Sequence, residues 1–429
     1  MRKLILLFVL LPVLGLSQLK KEEKALVKAV DSRHSAALEL LKKAVNINSG
    51  TMNFKGVRKV GSLFMEELKA LGFEVRWSSG DAFNRAGHLI AVHKGKGKKI
   101  LLIGHLDTVF EEDSPFQSYK MLNDSIMHGP GASDMKGGDV VIILAMQALH
   151  DAGLLKDLTI EIVMTGDEEL NGEPIELSKK DIVDAAIRAD IALGYEDGDG
   201  SPYTAIVSRR GYIDWELTVK GKASHSSQIF TEEIGSGAVY EASRILNQFY
   251  LSLSKKENLT FNPGVIIGGD KIAFDSINNT GSAFGKNNIV ASEVMVRGDL
   301  RSVSSIQLEE AKKIMEDILH ENYPLTSASL KFGEGSYPPL SWKDGNTKLL
   351  NIYSKVSTDL GYSAITPVNP RNAGAADISF AGDHVDMAID AIGISGGKGH
   401  TINEFANIKY LPIEAKRSAL LIYRISNLK

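Results

Sequence analysis

Short apolar runs alternate with segments of helical periodicity along the first half of the chain. The runs at 98–105 and 158–166 are bounded by charged residues or glycine, as expected of buried parallel strands. The segments of helical periodicity predict helices at 20–45, 57–71, 138–152 and 181–189. The apolar runs and similar short segments predict strands at 73–77, 88–93, 98–105, 158–166 and 190–196. Strands that alternate with helices predict an α/β architecture with a mostly parallel sheet.

The pattern changes after about residue 207. Residues 211–220 alternate between apolar and polar side chains, which is typical of a half-buried strand. The segments that follow predict a helix at 234–250, an apolar run at 265–267, a strand at 290–300, a helix at 305–320 and a strand at 328–333. We interpret this series as a smaller α+β domain inserted into the first.

From about residue 345 the α/β pattern resumes, with a helix at 348–360, the segment 376–380 and a last helix at 413–426. We therefore assign 18–207 and 328–429 to one discontinuous domain and 208–327 to the insert.

The first 17 residues have the layout of a secretory signal peptide. Arg2 and Lys3 precede an apolar stretch, and a small-residue cleavage site, Gly15-Leu16-Ser17, ends it. A membrane anchor is the alternative, but the stretch is shorter than the roughly 20 residues that a spanning helix needs. We therefore expect export to the periplasm or the extracellular space, with no membrane association after the signal is removed.

Composition narrows the chemistry. The 429 residues carry a formal net charge of -4 and no long basic run, so nothing indicates a nucleic-acid partner. The chain has no cysteine, so histidine, aspartate and glutamate must hold any metal.

Acidic and histidine residues follow the predicted strands or lie in glycine-rich loops. In open α/β sheets, functional groups collect beyond the carboxyl ends of the strands. The candidates are His105 and Asp107, Asp134, Asp167 with Glu168 and Glu169, Glu196, and His400.

A cysteine-free hydrolytic centre needs neutral imidazoles and carboxylates, which suit Zn²⁺, Co²⁺ or Mn²⁺. Two cations about 3.5–4 Å apart share a bridging carboxylate, and a further carboxylate takes a proton from water. Glu168 and Glu169 can divide such work because neighbouring side chains on a loop point in different directions. Asp107 lies on the same side of extended chain as His105 and can fix the tautomer of its ring.

Five strings in a fixed order make the resemblance specific: GHLDTVF at 104–110, GPGASDMKGG at 129–138, TGDEELNG at 165–172, GKASHS at 221–226 and GHTINE at 399–404. In these strings the chain resembles the M20 family of metallopeptidases, which includes glutamate carboxypeptidase, succinyl-diaminopimelate desuccinylase and aminoacylase. The resemblance covers about residue 100 to the end.

The resemblance implies a centre with two divalent ions, zinc by family expectation. His105 and Glu196 would bind one ion and Glu169 and His400 the other, with Asp134 as the bridge. Asp107 would orient His105. Glu168 would be the general base that activates the bridging water and returns a proton to the leaving amine. A cis peptide after the bridging aspartate, here Asp134–Met135, is also implied.

The discontinuous domain would then be the catalytic, metal-binding domain, and the insert a lid or dimerisation domain. The resemblance implies that His225 stabilises the oxyanion, often in the partner subunit of a homodimer. Asn288 and Arg301 would bind the carbonyl or carboxylate of the substrate. A surface charge is the alternative for Arg301.

The implied reaction is amide hydrolysis, which releases a C-terminal amino acid from a peptide or an acyl group from an N-acyl amino acid. The chain departs from the glutamate carboxypeptidases around 332–339, where it has Glu334 and no arginine. Two alternatives stay open: a binding or regulatory protein on a fold that has lost catalysis, and a metallohydrolase of esters or phosphates.

Overall fold

A computed structural model of the chain describes residues 19–276, 279–333 and 337–428. The segment 1–17 and Glu334 lie outside the described residues. The helices are α1 (Lys21–Val45), α2 (Phe54–Ala70), α3 (Lys136–Asp151), α4 (Ile175–Ser178), α5 (Lys180–Arg188), α6 (Gly237–Leu253), α7 (Ser305–Ile318), α8 (Asp344–Asp359), α9 (Ser379–Gly382) and α10 (Leu411–Ile425). In the described part of the chain, none of them combines the length and apolar character needed to cross a membrane.

The strands follow the same chain order. They are β1 (Glu74–Ser79), β2 (Gly87–His93), β3 (Lys96–His105), β4 (Lys120–Met121), β5 (Ile126–His128), β6 (Leu158–Thr165), β7 (Ile191–Gly194), β8 (Thr204–Ala205), β9 (Gly211–Lys220), β10 (Thr260–Gly269), β11 (Lys271–Asp275), β12 (Thr280–Phe284), β13 (Glu293–Ser302), β14 (Ser327–Phe332), β15 (Thr366–Pro367), β16 (Met387–Ile389), β17 (Gly396–Gly397) and β18 (Phe405–Asn407).

The larger sheet has the strand order β1-β2-β6-β3-β7-β16. Strands β6, β3, β7 and β16 are parallel, and β2 runs antiparallel to both of its neighbours. The predicted mostly parallel α/β sheet is confirmed. Because β6, β3 and β7 are adjacent and parallel, their carboxyl ends meet at one edge of the sheet.

Both faces of the larger sheet are buried. On β3, Ile100 and Leu102 belong to the core that α1, α2, α3, α8 and α10 share. The alternate residues Leu101 and Ile103 belong to a second core with α5 and α9. This burial on both sides explains why β3 is a continuous apolar run rather than an alternating one.

The smaller sheet has the order β10-β13-β9-β14 and is antiparallel throughout. Helices α6 and α7 pack on one face and form a separate core with alternate residues of β9, such as Trp215 and Leu217. Strand β14, at 327–332, pairs with β9 and contributes to this core. The predicted boundary between 327 and 328 assigned residues 328–332 to the larger domain, but β14 belongs to the smaller sheet.

Another four-stranded sheet has the order β17-β18-β5-β4. Strand β5 leads into the glycine-rich loop before α3, and β18 follows the loop at 398–404. Pairing of β5 with β18 brings these two loops together although about 270 residues separate them in sequence.

Candidate metal centre

His105 is the last residue of β3, and its side chain is buried. Its Nδ1 lies 3.1 Å from the backbone oxygen of Asp107. Donation of an Nδ1 proton to that oxygen leaves the lone pair of Nε2 free. Nε2 lies 3.2 Å from Oδ1 of Asp134 and 3.5 Å from Oε1 of Glu196, so it faces the place where an ion would bind.

Asp107 does more than the sequence predicted. Its carboxylate is 3.4 Å from Nδ1 of His105, but it also accepts hydrogen bonds from the hydroxyl of Thr51 at 2.6 Å and from the backbone amides of Glu168 and Glu169 at 3.1 and 3.2 Å. This buried carboxylate therefore fixes the histidine and the two glutamates relative to each other.

Asp134 lies at the end of the glycine-rich loop, immediately before α3. The peptide Asp134–Met135 is cis, as the resemblance implied. The buried carboxylate of Glu404 accepts hydrogen bonds from the backbone amides of Gly131, Ser133 and Asp134, at 3.1, 3.0 and 3.2 Å. No role for Glu404 was predicted from the sequence, although this residue ends the GHTINE string.

The two oxygens of Asp134 face two different histidines. Oδ1 is 3.2 Å from Nε2 of His105, and Oδ2 is 3.2 Å from Nε2 of His400. His400 is also 3.0 Å from Oε2 of Glu169. Two groups therefore converge on one carboxylate: His105, Asp134 and Glu196, and Asp134, Glu169 and His400, with the ligand atoms of each group within 4.8 Å of one another.

Glu196 follows β7 and is held from behind by a buried ion pair. Its backbone amide donates to Oδ1 of Asp390 at 3.4 Å, and Oδ2 of Asp390 accepts from Nε of Arg209 at 2.7 Å. Asp390 and Arg209 come from distant parts of the chain, which is why local motifs did not reveal them.

Several carboxylates lie close together in this buried region, and their pKa values respond to it. Burial raises the pKa of Glu196 and of Glu169. Burial would also raise the pKa of Asp134, but hydrogen bonds from His105 and His400 outweigh it and lower that pKa. Closely spaced carboxylates with two imidazole nitrogens are a donor set that suits divalent cations, because the ions neutralise the repulsion between the carboxylates.

Glu168 directs its side chain toward the same region, and it belongs to neither ligand group. Burial raises its pKa well above the ordinary value; His105 opposes the shift, and Asp377, Glu169 and Asp134 add to it. A carboxylate whose pKa is raised in this way can accept a proton and give it back.

A buried network lies behind the loop that carries Glu168. Nζ of Lys179 is 3.1 Å from Oδ1 of Asp167 and 3.0 Å from Oδ1 of Asp377. The hydroxyl of Tyr337 lies 3.1 Å from the backbone oxygen of Glu168 and 3.3 Å from Asp377. Lys179 was missed, since a lysine between two helices usually indicates a solvated surface.

A cleft of about 390 Å³ opens beside Glu168 and two of the candidate ligands, Glu169 and His400. Its wall is formed by loops at the metal centre, by β9 and by residues that follow β14: Glu168, Glu169, Leu170, Asn171, Glu173, Tyr212, Ile213, Asp214, Gly333, Tyr337, Ala375 and His400. The cleft therefore lies between the larger and the smaller sheet.

The three residues predicted in the insert do not join the ligand groups. The His225 ring is exposed, and its contact is with the hydroxyl of Ser227 at 2.9 Å. Asn288 is exposed, and its backbone oxygen accepts from the Ser226 amide. Arg301 pairs with Asp299 at 2.7 Å and lies 5.9 Å from the ring of Tyr212, which lines the cleft.

Comparison with known proteins gives a consistent result. The model of peptidase family M20/M25/M40 matches residues 101–424. Carboxypeptidase G2 of Pseudomonas sp. strain RS-16 is 25% identical over 418 residues, which are 96% of this chain and 94% of that protein. A probable succinyl-diaminopimelate desuccinylase of Staphylococcus aureus is 29% identical over 362 residues, 74% of this chain and 82% of that protein.

Solved structures share the fold. Aminopeptidase PepT from Bacillus cereus has a TM-score of 0.73 at 18% identity and covers 92% of this chain and 99% of its own. The YXEP protein from Bacillus subtilis, described as a dinuclear metal-binding peptidase of the M20 family, has a TM-score of 0.62 at 15% identity and covers 93% and 99%. The family resemblance predicted from the five strings is confirmed.

Proposed function

This chain belongs to peptidase family M20/M25/M40, and we propose that it hydrolyses an amide bond with the help of two divalent ions. The products would be a C-terminal amino acid from a peptide or an acyl group from an N-acyl amino acid. The observation that carries the proposal is the position of Asp134, whose two oxygens each lie 3.2 Å from a different histidine.

His105 and Glu196 would hold one ion and Glu169 and His400 the other, with Asp134 between them. Ions bound there supply Lewis acidity, which polarises a carbonyl oxygen and lowers the pKa of water. Zinc is the expected metal, and the imidazole and carboxylate donors also suit Co²⁺ or Mn²⁺.

Glu168 is the proposed general base. It would take a proton from the attacking water and return it to the nitrogen of the leaving amine. Burial raises its pKa well above the ordinary value, which supports a role in proton transfer. Hydrogen bonds from its amide to Asp107 and from Tyr337 to its carbonyl hold its backbone on two sides.

The names of the relatives support the substrate class. A carboxypeptidase and a desuccinylase both cleave amides, and the matches to them extend over most of this chain. Arg301 and Asn288 would bind the carbonyl or carboxylate of the substrate. Arg301 lies 5.9 Å from the ring of Tyr212, which lines the cleft.

We also propose that two copies of the chain form a homodimer in which the insert serves as lid and dimerisation domain. His225 would then stabilise the oxyanion in the site of the other copy. Its exposure, and a ring contact confined to Ser227, leave the imidazole free for such a role. Sedimentation equilibrium tests the dimer. Mixing His225→Ala with Glu168→Gln chains tests the shared site, because mixed dimers would regain activity that neither variant has alone.

The decisive test is Glu168→Gln on a panel of dipeptides, N-acyl amino acids and matched esters, with Zn²⁺ added. We expect kcat to fall at least about 100-fold while two ions per chain remain bound. Unchanged turnover in Glu168→Gln would refute the role of Glu168. Absence of bound divalent ions in the wild type would instead favour a binding protein, and cleavage of esters alone would favour an esterase.

A further inference from the structure

The wall of the cleft carries a second pair of carboxylates, separate from those at the metal centre. Glu173 follows the loop of Glu168, and Asp214 lies on β9 between the buried residues Ile213 and Trp215. Both carboxylates are exposed and line the same cleft as Glu168 and His400. Glu173 comes from the domain of the larger sheet and Asp214 from the smaller sheet, so both carboxylates face a substrate that enters the cleft.

Neither carboxylate has a cationic partner among the described residues, and the described lining of the cleft contains no lysine or arginine. Arg301 is the cation beside the lining residue Tyr212, but its Nε is 2.7 Å from the carboxylate of Asp299, so its charge is largely compensated. Ions at the metal centre would neutralise the ligands there. They would leave the charges of Glu173 and Asp214 uncompensated.

Two aromatic rings line the same cleft as the two carboxylates. Tyr212 and Tyr337 stack with centroids 5.8 Å apart and an interplanar angle of 22°. Burial raises the pKa of Tyr212; Asp214, Glu168 and Glu173 raise it further, and Arg301 opposes them, so these carboxylates act on the same ring. Ring faces beside carboxylates favour ammonium and guanidinium groups and repel anions.

We propose that this wall, formed by Glu173, Asp214 and Tyr212, selects substrates that carry a cationic group. The inference rests on the proposed function and narrows its substrate class to peptides with a basic side chain or a free α-amino group. Both sources present the same chemistry, an alkylammonium or guanidinium ion. Anionic N-acyl groups, such as succinyl, would be poor substrates if they occupied this wall.

The test compares matched substrates. Dipeptides and tripeptides carry lysine, norleucine or glutamate at one position at a time, each with a free or an acetylated amino terminus, and kcat/KM is measured with the Zn²⁺-loaded full chain. We expect kcat/KM to be about tenfold higher for lysine than for norleucine, or for the free than for the acetylated amino terminus, because two partly exposed charge pairs would give a preference of that size. The acetylated series distinguishes the side chain from the α-amino group. The preference should shrink at high salt.

Variants assign the preference to the wall. Asp214→Asn and Glu173→Gln should each lower the cationic-to-neutral ratio, and Asp214→Lys should invert it in favour of glutamate. The control is Asp124→Asn, which removes an exposed carboxylate in the turn between β4 and β5. This variant should leave the ratio unchanged.

The outcomes separate the two ideas. If peptides are cleaved but cationic and neutral substrates have the same kcat/KM at every position, this inference is overturned and the proposed function stands. The same holds if Asp214→Asn and Glu173→Gln keep the wild-type ratio of kcat/KM for cationic and neutral substrates. If no peptide or acyl amino acid is cleaved, the proposed function fails, and calorimetry with free lysine and norleucine tests the wall directly. Tighter binding of lysine that Asp214→Asn abolishes supports it, and equal binding overturns it.

Discussion

Replacement of Lys179 by methionine should destabilise the protein more than any change at a neighbouring lysine. The side chain is 1% exposed, and its Nζ lies 3.0 Å from Asp377 and 3.1 Å from Asp167, which are themselves buried. Burial alone would lower the pKa of Lys179, but Asp377 and Asp167 outweigh it and the pKa is raised. Methionine keeps the length of the stem and removes only the charge and its hydrogen bonds.

The magnitude follows from the geometry. Unit charges 3.0 Å apart attract by about 5.5 kcal/mol at an effective dielectric constant of about 20. Desolvation of the lysine offsets part of this attraction, and loss of one partner from a buried ion pair typically costs about 3–5 kcal/mol. We therefore expect Lys179→Met to lower the free energy of unfolding by about 3–5 kcal/mol.

Guanidinium denaturation followed by tryptophan fluorescence and far-UV circular dichroism measures the change. Trp77, on β1, reports on the larger sheet. The matched control is Lys180→Met, which removes an exposed i,i+4 pair with Asp184 and should cost about 0.5 kcal/mol or less. Addition of Asp377→Asn to Lys179→Met should recover part of the loss, since it removes an uncompensated charge. Equal stability of the two methionine variants would refute the reasoning.

Three further predictions concern the metal centre. Chelation of the ions should lower the melting temperature, and readdition of Zn²⁺ should restore it, as calorimetry would show. The free energy of unfolding should fall by about 2.7 kcal/mol for an ion whose free concentration had been 100 times its Kd. Binding of the ions should release protons and become tighter as the pH rises, because Asp134 and Glu169 raise the pKa of His400 to about 11 in the free site. Titration calorimetry in buffers of different ionisation enthalpy counts the released protons, and binding without proton release would contradict the prediction. Glu404→Gln should weaken ion binding about 10–100-fold in competition with a chelator, whereas Asp124→Asn should not.

The sequence predicted the elements of the larger layer well because their periodicity reflects burial. Strand β3, buried on both faces, is a continuous apolar run, and β9, buried on one face, alternates. By contrast, β10 and the hairpin of β11 and β12 are largely exposed, so their sequences carry little apolar signal and only the run at 265–267 was seen.

Other features depend on contacts that no local pattern encodes. The antiparallel direction of β2 is set by pairing with β6 far along the chain. The segment 376–380 leads into the short helix α9, and the parallel edge strand β16 follows it.

The candidate ligands were predictable because each follows a strand or lies in a glycine-rich loop within a motif. The groups behind them were not. These groups act through backbone amides or other buried charges, as Glu404, Asp390 and Lys179 do. Apart from the Lys179–Asp167 pair, their partners lie 180 or more residues away in sequence. Residue type and spacing carry no information about such pairings.

The order of the ligands along the polypeptide has a consequence for biosynthesis. His105, Asp134 and Glu196 have all been translated about 200 residues before His400. At about 5–20 residues per second, that is about 10–40 seconds in which one triad is complete in sequence and the other lacks its imidazole. A nascent or truncated chain that stops in this interval carries the ligands for one ion and never those for the pair. All the candidate ligands are thus present only after translation has passed His400.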